Sequence, residues 1–236
     1  MRLDKYLAEA GLGSRKEVKV ILKTGKVTVN EEKVKNGKFH VAPDKDRVSY
    51  DGKPVRYQEF YYYLLNKPAG VVSATKDNKD KTVVELLKTP DYREDIFPVG
   101  RLDKDTEGLL LLTNDGALSH NLLSPKKHVE KEYFAHIQGH VTQETVQKFA
   151  AGLTLKSGEN VKPGQLFIEK AEENKSKIRL IIHEGKFHQV KRMFEAVGMK
   201  VTYLKRLRMG SLELDKALTL GAYRPLTEEE ISMLKE

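Results

Sequence analysis

The chain of 236 residues contains no cysteine. It therefore cannot form a disulfide, use a thiol as a nucleophile or bind zinc through thiolates. Its seven histidines show no metal-ligand pattern, since only His136 and His140 lie close in sequence, in a segment that alternates like a strand. The sequence predicts a protein without a metal site.

Long apolar runs are absent as well. No segment reaches about 18 consecutive apolar residues, the length that a membrane-spanning helix needs. The first residues, Met-Arg-Leu-Asp, lack the apolar core of a signal peptide. We expect a soluble protein of the cytoplasm with no membrane partner. With 39% hydrophobic residues, the chain is long enough to bury a full core and to carry a small second domain.

Positive charge is concentrated in the first quarter of the chain. Residues 1–56 contain 14 Lys or Arg against 8 Asp or Glu, whereas the rest of the chain contains 28 against 26. About +6 of the formal charge of +8 therefore lies at the N-terminal end. A single lysine stripe is more often a solvated helix face, but an excess over the whole region favours binding to nucleic-acid phosphates.

This basic region has the pattern of a small α/β module. Leu3 and Leu7 have helical spacing, and Ser14 with Glu17 forms a capping box that predicts a second helix. Alternating valines at 27 and 29 predict a strand, and Asp-Gly at 51–52 is typical of a hairpin turn. The second helix carries its lysines opposite its apolar face. Contacts to RNA are expected from Arg2, Ser14, Arg15, Lys16, Lys19, Lys23 and Lys26.

A larger, strand-rich domain is predicted after a short polar linker at 55–59. Strands are expected at 60–65, 71–73, 108–113, 132–138, 177–183 and 201–208, and helices at 117–123, 143–151 and 187–197, with a last helix opened by Thr227 and Glu230. No regular strand–helix–strand repeat occurs, so a mixed, mostly antiparallel sheet with flanking helices is favoured. We predict an α+β protein with domains at residues 1–58 and 59–236.

The most informative segment is the loop 100–108, Gly-Arg-Leu-Asp-Lys-Asp-Thr-Glu-Gly. It sets charged residues between two glycines and leads into the apolar run 109–112, which is typical of a buried strand. A carboxylate fixed by such a strand beside an arginine is held ionised near neutral pH. Asp103 is therefore the candidate catalytic residue, and a surface ion pair between Asp103 and Arg101 is the structural alternative.

The N-terminal region contains an ordered series of motifs, Arg-Leu-Asp-Lys-Tyr-Leu at 2–7, Gly-Ser-Arg at 13–15 and Gly-Lys-Val-Thr-Val-Asn at 25–30. Through this series, residues 1–58 resemble the small RNA-binding domain first described in ribosomal protein S4. This resemblance implies a module that holds RNA and carries out no chemistry itself.

Four motifs occur in order along the larger domain: Tyr-Leu-Leu-Asn-Lys-Pro-Ala-Gly at 63–70; Gly-Arg-Leu-Asp at 100–103 with Thr106, Gly108 and the run 109–116; Lys-Glu-Tyr at 131–133; and Glu-Gly-Lys-Phe-His-Gln-Val-Lys-Arg-Met-Phe at 184–194. Through these motifs the domain resembles the RsuA-type ribosomal RNA pseudouridine synthases. No glycine-rich phosphate loop and no Ser/His/Asp arrangement competes with them. The resemblance implies the pseudouridine synthase fold.

The implied reaction converts uridine to pseudouridine in ribosomal RNA. It breaks the bond between N1 and C1′, rotates the uracil and joins C5 to the sugar, with no net redox change, so no cofactor is expected. The uridine must first be flipped out of the RNA stack. Asp103 takes the position of the family's essential aspartate, and attack on the base, attack on the sugar and removal of a sugar proton all remain open.

The resemblance gives roles to three further residues. Arg101 corresponds to the residue that fills the gap left by the flipped base and orients the flanking phosphates. Tyr133 matches an active-site tyrosine that stacks on the uracil and assists removal of the C5 proton, although alternation along its strand also permits a core position. Lys191 corresponds to the basic residue placed against the aspartate, with the adjacent Arg192 as the alternative.

Two functions of other classes compete with this interpretation. One is a non-catalytic ribosome-assembly factor that binds RNA, against which the complete set of four site residues argues. The other is a magnesium-dependent enzyme in which Asp103 and Asp105 present oxygens to the ion. Asp105, Glu107 and Asp115 are more simply expected to accept hydrogen bonds from backbone donors in the loop and turn.

The segment 187–191, Phe-His-Gln-Val-Lys, bears on the substrate. Family members that act on large-subunit RNA commonly carry an Asn-Arg-Gln-Val-Arg-like sequence here, and the ending Gly-Ala-Tyr-Arg-Pro-Leu-Thr at 221–227 also resembles the small-subunit type. The resemblance therefore implies uridine 516 of 16S rRNA as the target, with 23S rRNA as the alternative. A monomer is expected, acting on 16S rRNA within a small-subunit assembly intermediate.

Overall fold

The computed structural model describes all residues from Met1 to Glu236, and they divide into two compact units, Met1–Phe60 and Tyr61–Glu236. The predicted α+β class with a mostly antiparallel sheet is confirmed. The division follows residue 60 rather than 58. Tyr61 belongs to the second unit because its backbone N–H donates to the side chain of Asn114 at 2.8 Å. No helix has both the length and the apolar character needed to cross a bilayer.

The N-terminal unit combines two short helices with a four-stranded antiparallel sheet. The helices are α1 (Leu3–Leu7), which is followed by one π turn at Ala8–Leu12, and α2 (Arg15–Lys23); the strands are β1 (Val27–Val29), β2 (Glu32–Lys33), β3 (Val48–Tyr50) and β4 (Lys53–Pro54). The sheet order is β2-β1-β3-β4. Apolar residues from both helices and from β1 and β3 form the core of this unit.

Local signals in the sequence account for the boundaries of these elements. Ser14 Oγ accepts from the backbone N–H of Glu17, and the Glu17 carboxylate accepts from the N–H of Ser14 at 2.6 Å, so the predicted capping box is confirmed. Gly25, at φ 70°, follows the end of α2 in the left-handed region that glycine adopts without strain. The predicted turn at 51–52 joins β3 to β4.

The second unit is built on a nine-stranded sheet. Its strands are β5 (Tyr62–Lys67), β6 (Phe97–Pro98), β7 (Glu107–Thr113), β8 (Lys131–Gln138), β11 (Gln165–Ala171), β12 (Lys175–Ile182), β13 (Lys200–Met209), β14 (Leu212–Glu213) and β15 (Tyr223–Pro225), and a separate ribbon pairs β9 (Leu153–Thr154) with β10 (Asn160–Val161). The order is β11-β12-β8-β13-β7-β5-β15, with β14 on β13 and β6 on β7. Only β13 and β7 pair in parallel.

Helices cover the sheet on both faces. They are α3 (Gly116–Leu123), α4 (Gln143–Ala151), α5 (Gln189–Ala196) and α6 (Glu228–Lys235), with one short 3-10 turn at Val84–Leu86. Residues of α4 and α5 share one core with the inward residues of β8, β11, β12 and β13. Residues of α3 and α6 share the other core with the opposite face of β5 and β7.

Some elements differ from those predicted. The segment 71–73 is not a strand, because it makes a single bridge from Val72 to Thr82. Strand β11 was not predicted: its exposed face carries Phe167 beside polar residues, and a bulge between Ile168 and Lys170 shifts the register, so apolar and polar residues do not alternate. The helix expected at 187–197 begins at Gln189, since His188 has a left-handed φ of 48°.

The parallel pairing of β7 with β13 fixes the loop that precedes β7. Gly108 lies opposite Arg206 in this pair, at φ 100°. A Cβ atom on Gly108 would lie 2.3 Å from the carbonyl oxygen of Arg206, so only glycine allows the two backbones to approach this closely. The close approach anchors the C-terminal end of the loop 100–108 to the strand next to it.

Candidate active site

Asp103 forms an ion pair with Lys191. Lys191 is the third residue of α5, and its Nζ lies 3.0 Å from Oδ2 of Asp103 and 2.6 Å from Oδ1 of Asp105. Two elements that are 88 residues apart in sequence therefore meet at one carboxylate. The partner of Asp103 is the helix lysine and not Arg101, so the structural alternative of an Arg101–Asp103 surface pair does not hold.

The electrostatics of this cluster favour the charged forms of Lys191 and Asp105. Partial burial acts against the charge of Lys191, but hydrogen bonds from its ammonium to Asp105 and Asp103 outweigh this and raise the pKa of Lys191 above its usual value. Burial also acts against the charge of Asp105, yet the contact with Lys191 lowers the pKa of that carboxyl. The Lys191 ammonium contacts the carboxylates of Asp103 and Asp105, which are the two groups that would bind the ion in a magnesium-dependent enzyme.

The neighbouring Arg192 has different partners. Its guanidinium donates to Ser157 Oγ at 2.7 Å and to Glu159 Oε2 at 2.8 Å, away from Asp103. Between the two basic residues that the sequence left open, the structure therefore brings Lys191 to the carboxylate.

A cleft of about 590 Å³ opens beside this ion pair. Arg101, Asp103 and Tyr133 line it, and the same three residues line a small adjoining recess of about 60 Å³ together with Lys191. The four residues predicted from sequence thus converge on one continuous site. Arg101 is exposed at the cleft, and Tyr133 is buried.

Tyr133 belongs to the core and to the cleft at once. Its side chain lies on the inward face of β8, where it packs in the larger core cluster and is 7% exposed. It also lines the cleft and the recess that Asp103 lines. A ring held in this way has a fixed orientation next to the carboxylate, which suits stacking on a planar ligand.

Lys67 supports the loop 100–108 from the core side, a role that the sequence analysis missed. The residue ends β5 and is fully buried, and its Nζ donates to the carbonyl oxygens of Pro68 at 3.0 Å, Asp103 at 3.1 Å, Lys104 at 3.3 Å and Thr106 at 2.8 Å. Burial lowers its pKa to about 8, and the charges of the three acidic residues of the loop oppose this shift. A lysine at the end of a strand that is otherwise apolar except for Asn66 was the available signal.

His188 is a second residue that the sequence analysis did not assign. Its Nε2 lies 3.4 Å from Oδ1 of Asp103, and its ring stacks on Phe187 at 3.8 Å between centroids. Phe187 is 71% exposed, so the pair presents an aromatic surface at the mouth of the cleft. The left-handed φ of His188 turns the chain so that this ring reaches Asp103.

The loop acids meet the sequence-based expectation in part. Asp115 caps α3 by accepting from the N–H of Leu118 at 2.9 Å, as expected. Asp105 accepts a hydrogen bond from its own backbone N–H, as expected, and also pairs with Lys191. Glu107 instead accepts from the hydroxyl of Tyr203 at 2.8 Å, and burial together with this bond raises the pKa of Tyr203 to about 12. A side-chain partner from β13 thus replaces the backbone donor that was predicted for Glu107.

The N-terminal unit shows which of its predicted RNA-contact residues have other partners. Arg2 donates to both carboxylate oxygens of Asp4, at 3.1 and 2.6 Å, Lys26 pairs with Asp51 at 3.1 Å, and Ser14 caps α2. The other four predicted residues are exposed along α2 and take part in no ion pair: Arg15, Lys16, Lys19 and Lys23. These four form the free basic face of the unit.

Comparison with known families agrees with both units. Residues 61–196 match the family described as RNA pseudouridylate synthase, and residues 1–48 match the S4 domain. The chain belongs to the RNA pseudouridylate synthase family. As a member, this pseudouridine synthase carries an S4 domain before its catalytic domain, in the order that the sequence motifs predicted.

Relatives of the synthase align over its whole length. An uncharacterized RNA pseudouridine synthase of Bacillus subtilis is 51% identical over 236 residues, which is 100% of this chain and 99% of that protein. The ribosomal small subunit pseudouridine synthase A of Escherichia coli is 42% identical and covers 98% of this chain and 99% of its own. The crystal structure of a pseudouridylate synthase superimposes with a TM-score of 0.69 at 36% identity, covering 99% of both chains.

Proposed function

We propose that this synthase converts one uridine of 16S ribosomal RNA, at position 516, to pseudouridine. The proposal is supported by relatives from Escherichia coli and Yersinia pestis, which are named as small-subunit enzymes, are 42% identical and span nearly all of the chain. It is also supported by the segment Phe-His-Gln at 187–189, whose aromatic pair lies at the mouth of the cleft. Ribosomal RNA is the substrate class in either branch of the family.

The observation that carries the catalytic proposal is the contact between Asp103 and Lys191 at 3.0 Å within the cleft. Lys191 holds the carboxylate of Asp103 in place through this ion pair. The carboxylate then acts on the sugar or the base of a flipped uridine while the N1–C1′ bond breaks. After rotation a bond forms between C5 and C1′, and the proton of C5 is lost as N1 gains one, so the reaction is balanced as an isomerisation.

The other cleft residues position the uridine in this proposal. Tyr133 stacks on the uracil from the inward face of β8, and its hydroxyl assists transfer of the C5 proton. Arg101, exposed at the cleft, fills the gap in the RNA stack and contacts the phosphates beside it. No step requires a cofactor or a metal ion.

The S4 domain supplies affinity in this proposal. The basic face of α2 contacts backbone phosphates, which provides binding energy without sequence readout. Arg2, Ser14 and Lys26 take part to a smaller extent, because each is already engaged within the domain. We propose that the enzyme acts in the cytoplasm as a monomer on a small-subunit assembly intermediate, in which ribosomal proteins hold the local RNA fold.

The decisive experiment offers the purified enzyme 16S and 23S rRNA, each free and partly assembled with ribosomal proteins, without added metal or nucleotide. Pseudouridines are then mapped by chemical probing and reverse transcription. Modification of one uridine in 16S rRNA and of none in 23S rRNA is expected. Modification of 23S rRNA alone would overturn the target and keep the reaction, whereas no modification in any of the four substrates would favour an RNA-binding assembly factor.

A further inference from the structure

Two buried cations, Lys131 and Arg206, line the floor of the cleft. Lys131 opens β8 and is 8% exposed, and Arg206 lies on β13 and is 2% exposed. Both belong to the lining of the 590 Å³ cleft that also contains Asp103 and Arg101. Neither residue takes part in the proposed reaction steps.

Neither cation has a carboxylate partner. Lys131 Nζ donates only to the carbonyl oxygen of Val129, at 3.1 Å, and Arg206 Nε donates to the carbonyl oxygen of Leu109 at 2.8 Å. The Nη2 atom of Arg206 is buried and makes no hydrogen bond. Burial lowers the pKa of Lys131, and the charge of Arg206 lowers it further, so each cation makes the charge of the other less favourable.

The acidic residues nearest to this pair are engaged elsewhere. Asp103 is bound by Lys191, and Glu184, the other acid of the cleft, accepts from Gln189 Nε2 at 2.7 Å and from the N–H of Lys162 at 2.8 Å. Glu132 follows Lys131 directly in sequence, but strand alternation turns it to the opposite face, where it binds Arg179 and Arg208. The free enzyme thus leaves the two charges uncompensated.

Two adjacent buried cations without a counter-ion are unfavourable for the stability of a protein. They become favourable when an anion enters the cleft and accepts their unused donors. Uracil is neutral and its hydrogen-bond acceptors are two carbonyl oxygens, whereas each nucleotide of the substrate brings one phosphate with a full negative charge. The charge of the pair therefore matches the RNA backbone better than it matches the base.

We propose that Lys131 and Arg206 form a phosphate subsite, which binds one backbone phosphate of the substrate strand next to the flipped uridine. This inference rests on the proposed entry of a flipped uridine into the cleft, and it does not depend on which uridine is the target. Binding this phosphate deep in the cleft holds the strand in its extruded path, so that part of the affinity for RNA is gained only when the nucleotide has flipped.

The test combines a change in the protein with a change in the RNA. Lys131→Met keeps the length of the side chain and removes its charge, and Lys88→Met, an exposed lysine outside the cleft, is the matched control. The ligand is a 16S rRNA fragment that spans the target uridine, made with an uncharged methylphosphonate at one flanking linkage at a time. Binding is measured by titration, and turnover of the unmodified fragment is measured separately.

One uncharged linkage is expected to weaken binding to the wild-type enzyme and to Lys88→Met about tenfold, the loss for one hydrogen bond to a charged group. The same linkage should cause no further loss with Lys131→Met, whose affinity is already reduced. Equal losses at every linkage in wild type and Lys131→Met would overturn the subsite. Binding without turnover, even when the ribosomal proteins of the assembly intermediate hold the fragment, would instead overturn the proposed target, and the binding data would still test the subsite.

A structural role for Lys131 makes a different prediction. If the lysine only stabilised the fold, Lys131→Met would melt at a lower temperature and would bind RNA as the wild type does. The subsite predicts the opposite, a melting temperature that is unchanged or higher, because an uncompensated buried charge has been removed, together with weaker binding. Lys131→Met carries this test, since the Arg206 side chain also bonds the backbone of β7.

Discussion

The ammonium of Lys67 donates a hydrogen bond of 3.1 Å to the carbonyl oxygen of Asp103, and it binds three further carbonyl oxygens around the same loop. Lys67 thus holds the backbone of Asp103 from the core side while Lys191 holds its carboxylate from the side of α5. The position of the carboxylate is determined twice, once through the backbone and once through the side chain. Such double support suits a group that must meet a reacting carbon closely.

Replacement of Lys67 by Met should slow turnover strongly while RNA affinity stays within a few-fold of wild type. The four carbonyl oxygens lose their common donor, and a displacement of the reacting group by about 1 Å costs on the order of 100-fold in rate. Single-turnover kinetics and RNA binding of the same preparation provide the measurement. An unchanged rate in a folded variant would show that the loop keeps its shape without the lysine.

Lys67 should also make stability depend on pH. Burial lowers its pKa from 10.5 to about 8, whereas the unfolded chain keeps the ordinary value. Between about pH 8 and pH 10.5 the unfolded state therefore binds more protons than the folded state, and the free energy of unfolding gains a contribution that rises with pH. Urea titrations at about pH 7.5 and pH 9.5 should show this contribution in wild type and lack it in Lys67→Met. An identical rise in both proteins would assign it to other groups.

Asp103→Asn should abolish pseudouridine formation and leave RNA affinity within a few-fold of wild type. The change removes the reactive oxygen but leaves the basic surfaces that bind phosphates. Asp105→Asn is the matched control, since Asp105 contacts the same Lys191. This change leaves both partners of the Asp103–Lys191 ion pair in place. We expect a much smaller loss of rate in this control. Wild-type turnover by Asp103→Asn would refute the catalytic assignment.

Lys191 and its neighbour Arg192 offer a second matched pair. Lys191→Met removes the ammonium that lies 3.0 Å from Asp103 and holds its carboxylate in place, so turnover should fall by about 100-fold, the loss expected when a reacting group is displaced by about 1 Å. Arg192→Met removes a cation of the same helix that contacts Glu159 instead, and its turnover, measured in the same single-turnover assay, should stay close to wild type. A loss of equal size in both variants would mean that only the general charge of α5 matters.

The sequence predicted the elements whose signals are local. The capping boxes at Ser14 and Thr227 and the apolar run 109–112 each depend on neighbouring residues, and the structure contains each of them. Strand β11 was missed because its exposed Phe167 and the bulge after Ile168 break the alternation of apolar and polar residues. Segment 71–73 has apolar residues without a strand, since only Val72 finds a partner.

The site was predictable as a set of residues but not as a set of contacts. The motifs indicated Asp103 but left either Lys191 or Arg192 as its basic partner. Helix residues i and i+1 differ by about 100° in direction, and the sequence does not orient the helix. Lys67 contacts the backbone carbonyl of Asp103. His188 contacts the carboxylate of Asp103, and it has a left-handed φ. Contacts of both kinds depend on tertiary packing, which no local pattern encodes.

The free basic face of α2 leads to a prediction about salt. Replacing Lys19 and Lys23 by Ala should weaken RNA binding and reduce the slope of log K against log salt by about 0.7 to 0.9 for each lost phosphate contact. The slope is the informative quantity, because each phosphate that a lysine neutralises releases condensed counter-ions from the RNA. Binding isotherms at several salt concentrations, with the same RNA fragment, provide the measurement.

A matched control removes the same charge from the same domain. Lys45 and Lys53 are exposed lysines of the S4 domain that lie outside α2, and neither takes part in an ion pair. Replacing both by Ala lowers the net charge equally but should leave the slope close to wild type, if binding depends on α2 and not on overall attraction. Equal slopes in the two double variants would show that the lysines of α2 form a solvated face, and that the S4 domain holds RNA through another surface.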